Sequence, residues 1–317
     1  MSTTQLHSLG WYEMGDQMSY LKWIFAALLF AAGSVPAGPV EEAEAAYNQK
    51  DYATATRLWQ QLAQAGDTTA QINLATLYEN GQGVVASAGQ AVYWYRKAAD
   101  QGNAFAQLSL GAIYDRAEIV AADPQQALRW YRKAADQGNV YAQFNLGTLY
   151  ITGRGVAKDE EQALVWFKKA AEQGDAKAQY NAGFMYATGK GKPQDEQQAV
   201  LWYRKAADQG HVTAQYNLGT LYGSGQGVAK DDEQAARWYR EAADQGHAGA
   251  QNNLGFLYAN GLGVPKDNQQ AYFWCLLAIA GKDASAIKNR DYIEALLTPQ
   301  ERAAAQADAA NWKSGKK

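Results

Sequence analysis

Three sets of residues have types and spacing that could do chemistry. Ser285 and Lys288 form an S-x-x-K pair, the arrangement that activates a serine for acyl transfer in penicillin-recognising enzymes. The companion motifs of that chemistry are missing, so the pair reads as part of a terminal helix. His211 and His247 stand 36 residues apart and could face each other as a metal pair. No further ligands stand with them to complete a zinc set, and capping of a helix is the simpler role. Paired glycines such as Gly81/Gly83 and Gly153/Gly155 could cradle a phosphate, but that use needs a preceding strand. No nucleophile, base and orienting group recur together. The expectation is a non-enzyme with no cofactor and no metal.

Composition narrows the classes further. The 317 residues carry a formal net charge of −3 with lysine and arginine spread evenly, which argues against a nucleic acid partner. Cys275 is the single cysteine, so an intrachain disulfide and a cysteine metal cluster are both excluded. It follows a tryptophan within a helix and reads as a buried, inert thiol.

One further set points to binding. Asn73, Asn145, Asn181, Asn217 and Asn253 recur at one place, with Ser109 at the remaining one. Asparagine is a mediocre residue for a helix interior, so its recurrence needs a reason. The amide offers a donor and an acceptor, matched to a peptide backbone. The alternative is that each bonds the backbone of a neighbouring helix and sets the angle between units. Phe144, Tyr180 and Tyr216 stand beside these asparagines and vary between units, as a ligand-reading surface would, and interfaces favour aromatics.

The elements that position these residues follow from a repeat. WYRKAADQG and its near copies end at Gly102, Gly138, Gly174, Gly210 and Gly246, a period of 36. Such a period means stacked supersecondary units, an all-α solenoid, and not one closed core. Each unit reads as two helices. The A helix (AQFNLGTLYITG) carries its apolar stripe at Ala142, Leu146, Gly147 and Tyr150. Its internal glycine implies that another helix backbone crosses too closely for a side chain. Glycines such as Gly153 should close it as left-handed caps. The B helix starts at Asp123, Asp159, Asp195, Asp231 or Asp267 with Gln three residues on, the pattern of a capping box. Its invariant tryptophans, such as Trp166 and Trp202, read as core. Pairs such as Arg132–Asp136 and Arg240–Asp244 read as a solvated face.

Residues 1–37 differ in character. From Met18 a short basic start, an apolar run of about ten residues and small residues at Val35 and Ala37 form a secretory signal. Cleavage is expected after Ala37, with Met18 or Met14 as the true start. The rival is an uncut anchor, the one expected route to membrane contact. Residues 38–50 then form a linker and capping helix, 51–281 the repeats, and 282–317 the terminal helices and tail. Thr298 and Glu301 predict a capped start for the last helix.

The signatures AQxNLGxxYxxGxGVxxD and QAxxWYxxAADQG resemble the Sel1-like repeats, relatives of the tetratricopeptide repeats. The resemblance implies a right-handed superhelix of helix pairs that binds another protein in its concave groove. It also implies that the five asparagines clamp the bound chain, and that a bacterial member of this kind is exported to the periplasm or beyond. The alternative is a structural component of an envelope assembly that uses its convex face or ends. A cell-wall or β-lactam-directed enzyme is the remote third reading.

Overall fold

The computed structural model describes residues 38–116 and 121–315; the leader and its expected signal lie outside the described residues. Sixteen helices and no strand occur among the described residues. Helices α1 (Pro39–Asn48) and α2 (Tyr52–Gln64) open the stack. Three pairs follow: α3 (Thr68–Asn80) with α4 (Ala88–Asp100), α5 (Ala104–Arg116) with α6 (Pro124–Asp136), and α7 (Val140–Thr152) with α8 (Glu160–Glu172). Three more continue it: α9 (Ala176–Thr188) with α10 (Glu196–Asp208), α11 (Val212–Ser224) with α12 (Asp232–Asp244), and α13 (Ala248–Asn260) with α14 (Asn268–Ala280). The short α15 (Ala286–Glu294) and α16 (Pro299–Asn311) close the end. Each helix packs mainly on its sequence neighbours, giving a right-handed solenoid of helix pairs.

Both helices of a unit have 13 residues, about 20 Å each. Side chains cap both kinds. Asn139 accepts from the Ala142 amide at 2.9 Å to start α7, and Asp159 accepts from the Gln162 amide at 2.9 Å to start α8. The expected capping box forms only its first half in the B helices. The amide that the glutamine side chain would bind is already taken, since Asp159 N–H donates to the Tyr150 carbonyl at 3.0 Å. Asp123, Asp195, Asp231 and Asp267 do the same with Tyr114, Tyr186, Tyr222 and Tyr258. The complete box forms at Thr298 and Glu301, where α16 begins.

The A-helix glycine answers to a different neighbour than expected. A Cβ on Gly147 would stand 2.9 Å from the Phe167 ring, and one on Gly183 or Gly219 would stand 2.8 Å from Tyr203 or Tyr239. The close approach is by the aromatic side chain of the unit's own B helix. Only in the last unit, where Cys275 replaces the aromatic, does backbone come near: the Ala271 carbonyl would lie 3.0 Å from a Cβ on Gly255.

The loop glycines divide the work of a joint. Gly153 ends α7 in the left-handed region (φ 73°), as expected. Gly155 also has positive φ (70°), and a Cβ there would sit 2.2 Å from the Pro124 carbonyl in the preceding unit. The loop after α5 lacks these glycines. There Arg154 of the next loop donates to the Asp115 carbonyl at 2.8 Å. Its Nη2 lies 2.9 Å from the buried Asp115 carboxylate, angled away from a hydrogen bond to that oxygen. Burial raises the Asp115 carboxyl above its usual range, and Arg154 opposes that shift.

The B-helix tryptophans are core, as expected, with exposures of 8% or less. The cations beside them do more than meet solvent. Arg132 pairs with Asp136 at 3.4 Å, lies 4.9 Å from the Trp166 ring centroid, and donates to the Tyr150 hydroxyl at 3.3 Å. Lys169 covers the same tryptophan at 3.8 Å. Cation–π contact of this kind holds successive B helices in register. At the C-terminal end α16 packs on α14, and the Gly315 amide reaches back to the Asp244 carbonyl at 3.0 Å.

Candidate binding surface

An A helix is wrapped by its own B helix, the preceding B helix and the adjoining units, which leaves one narrow strip open. In α7 that strip is Tyr141, Phe144 and Thr148; in α11 it is Thr213, Tyr216 and Thr220. Phe256 occupies it in α13 and is 49% exposed. The strip is aromatic and uncharged over most of its length.

The five asparagines do not share one environment. Asn73, Asn145 and Asn181 are buried, none more than 6% exposed, so they have almost no surface for a bound chain. Asn217 and Asn253 are half-buried. Three of these amides meet the hydroxyl of the tyrosine on the preceding B helix, while Asn73 and Asn181 face Trp59 and Phe167 there, and Asn73 Nδ2 and Asn145 Oδ1 are buried without a partner. Asn145 reaches Tyr131, Asn217 reaches Tyr203 and Asn253 reaches Tyr239. Ser109 does this for Tyr95, whose hydroxyl also donates to Glu79 at 2.9 Å. The contact between units is therefore side chain to side chain, not amide to backbone. Burial pushes the Tyr95, Tyr131 and Tyr203 hydroxyls well above their usual range, so they stay protonated.

The aromatic set also divides. Tyr180 is 4% exposed and its hydroxyl is pushed up to about 12 by burial. Its ring stacks on His211 at 4.6 Å, and Tyr216 stacks on His247 at 4.5 Å. Phe144 and Tyr216 keep part of their surface.

Sequence reasoning missed a glutamine relay. In the first five units the glutamine after the A-helix alanine donates to the preceding B helix and accepts from a glutamine 30 residues on. Gln179 donates to the Ala171 carbonyl at 3.1 Å and accepts from Gln209 at 2.8 Å. Gln71, Gln107, Gln143 and Gln215 repeat both bonds. At the last unit Gly281 takes the place of the second glutamine, and the buried Gln251 Oε1 has no partner. The fixed spacing between AQ and DQG was the available signal.

The two histidines are caps. His211 Nδ1 accepts from the Ala214 amide at 3.3 Å and His247 Nδ1 from the Ala250 amide at 3.1 Å. Protonating Nδ1 would remove the acceptor. Burial lowers the His247 pKa below its ordinary 6.5, against a smaller opposing pull from Asp283. A depressed value means that the cap's stability is present above 6.5 and is lost as pH falls from there through the folded value. The cap contributes about 1 kcal/mol. His247→Asp, which copies Asp175, is expected to reduce the fall in Tm between about pH 7.5 and about pH 5. An unchanged fall would remove His247 from the pH response.

The enzyme-like residues are otherwise engaged. The Ser285 hydroxyl donates to Asp283 at 2.6 Å and accepts from Asn252 at 2.8 Å, with no bond to Lys288. Cys275 is buried and its thiol is pushed up to about 12.

Repeated helix pairs joined by paired glycines, with one face of each A helix left open, define an α-solenoid of short repeats. The Sel1 repeat model matches six consecutive segments, 68–103, 104–139, 140–175, 176–211, 212–247 and 248–283. The chain belongs to the Sel1 repeat family. It is similar to c5321, a protective antigen of uropathogenic Escherichia coli strains with an SLR fold, at 37% identity and a TM-score of 0.71. That match covers 86% of this chain and 60% of the antigen, so this chain spans less than two thirds of its relative. A Sel1 repeat protein from Oxalobacter formigenes matches at 33% identity and a TM-score of 0.62, over 76% of this chain and 97% of that one. Among proteins of curated function, none matches this chain.

Proposed function

We propose that this chain is an exported, non-catalytic scaffold whose A-helix face, the concave side of the solenoid, holds an extended segment or surface of another protein. Sel1 repeat chains are commonly protein-interaction scaffolds, and bacterial members are often exported. The observation that carries the reading is the open strip itself. Phe256 stands 49% exposed at the place that Thr148 and Thr220 hold, one helical turn beyond the place of the half-buried Phe144 and Tyr216. Large rings held toward solvent along the A-helix face of several units suit a partner better than water. Asn217 and Asn253 are the two amides with surface left to bond a backbone.

The joint substitution Tyr216→Ala, Asn217→Ala and Phe256→Ala tests this. Capture of partner from envelope extract by the mature chain is expected to fall by roughly tenfold or more, with helix content kept. Equal capture would reject the strip as the binding surface. The N-terminal residue of the same material reads the signal, with Gly38 expected as the first residue.

A second reading is supported by the C-terminal end, where Tyr292 is 68% exposed and Leu296 46% exposed. Docking by this end would make the chain a structural member of an envelope assembly. Capture that survives the strip substitutions but is lost with Tyr292→Ser and Leu296→Ser would favour it.

A further inference from the structure

We propose that the B-helix face, opposite the strip, carries a second binding site, for an acidic amphipathic segment of a polypeptide. A groove of about 580 Å³ opens between α4 and α6. Four exposed cations line it, Arg96, Arg129, Arg132 and Lys133, against one carboxylate, Asp100. Its floor is apolar, made by Leu128, Trp130 and Tyr150. In a chain of net charge −3 this is a local reversal of sign. The even spread of cations along the sequence concealed it, because stacking of units brings α4 and α6 together.

The cations are held for use. Lys133 lies 4.2 Å and Arg96 5.7 Å from the Trp130 ring centroid, and Arg132 stacks on Trp166. Arg132 also spends Nε on Asp136 and Nη1 on the Tyr150 hydroxyl, so the cations with donors in hand for a carboxylate are Arg129 and Lys133. Less side-chain freedom is then lost when an anion binds. Arg129 and Lys133 have no ion-pair partner among the described residues.

A row of apolar side chains extends from the groove and sets the class of partner. At the place that Arg129 holds in α6, the neighbouring B helices carry Tyr93, Val165 and Leu201, exposed by 48%, 42% and 44%. These three stand among the few large apolar side chains left open to solvent. A segment that alternates carboxylates with apolar residues would satisfy both the cations and the row. A nucleic acid strand would not, because Asp100, Asp136, Glu172 and Asp208 recur along the same helices and would repel a continuous line of phosphates.

The probe is a fluorescein-labelled peptide of alternating glutamate and leucine, titrated into the full chain and followed by anisotropy. Binding is expected at low salt and should weaken as salt is raised. The double reversal Arg129→Glu and Lys133→Glu is expected to weaken it by roughly tenfold or more. Val165→Ser should weaken it by a smaller factor. Both substitutions are on exposed positions, and circular dichroism checks that the helices remain. Asn217→Ala with Phe256→Ala, on the opposite face, should leave the peptide's affinity unchanged, which separates this site from the strip. The proposal is overturned by any of three results: no binding of the peptide to the unaltered chain, equal affinity of the reversed variant, or equal affinity for a glutamine–leucine peptide. Tighter binding of a single-stranded oligonucleotide of the same charge would also overturn it.

Discussion

Gly227→Ala is expected to destabilise the chain by about 3 kcal/mol, and Gly210→Ala by only about 1 kcal/mol. Both glycines have positive φ, 68° and 84°, so both substitutions incur the backbone cost of a left-handed L-residue. They differ in what a Cβ would meet. At Gly227 it would stand 2.4 Å from the Glu196 carbonyl, on the first turn of the preceding B helix, while at Gly210 nothing lies within 4 Å. The difference isolates the contact between units. In a stack whose stability sums unit and interface terms, weakening one joint also lowers cooperativity. Urea unfolding followed by tryptophan fluorescence and by circular dichroism should give non-coincident transitions for Gly227→Ala, and coincident ones for Gly210→Ala. Equal costs at both sites would show that the second loop glycine serves only its own turn.

Gln179→Leu is expected to cost about 2 kcal/mol, because it removes two hydrogen bonds at once. The Ala171 carbonyl loses its side-chain donor at 3.1 Å, keeping the Gly174 amide, and the Gln209 amide loses its acceptor at 2.8 Å, beside a side chain that is itself 4% exposed. Gln209 is exposed, so Gln209→Leu should cost about 1 kcal/mol, with water replacing part of the bond. The pair should couple by about 1 kcal/mol in a double-substitution cycle. The chain contains its own comparison. Gln251 already lacks the second bond, since Gly281 stands where the partner would be, and a Cβ there would meet Ala248 at 2.8 Å. Gln251→Leu should therefore cost less than Gln179→Leu by about 1 kcal/mol. Identical losses at 179 and 251, measured by urea denaturation, would mean that the relay adds nothing beyond its first bond.

These two devices show where reading the residues in order stopped short. Both consist of pairs at constant separation, Gln179 with Gln209 and Gly227 with Glu196. The asparagines are legible as hydrogen-bonding groups, and Asn145 has that capacity. It is directed at Tyr131, inside the stack. Capacity to bond is a property of the side chain, whereas its direction depends on which helix lies beside it.

What the amino-acid order determined alone was everything local and periodic: two helices of 13 residues per unit, their caps at residues such as Asn139 and Asp159, the left-handed stops such as Gly153, and the solenoid class. Those features follow from backbone geometry within a few residues, repeated until no single core could close. Only the tertiary structure decided which faces remain open. Stacking at a fixed angle buried Asn73, Asn145, Asn181 and Tyr180, left Asn217, Asn253 and Phe256 toward solvent, and gathered Arg96, Arg129 and Lys133 from two helices into one groove. Exposure depends on neighbours one unit away, and a residue's own position along the chain does not specify how closely that neighbour packs.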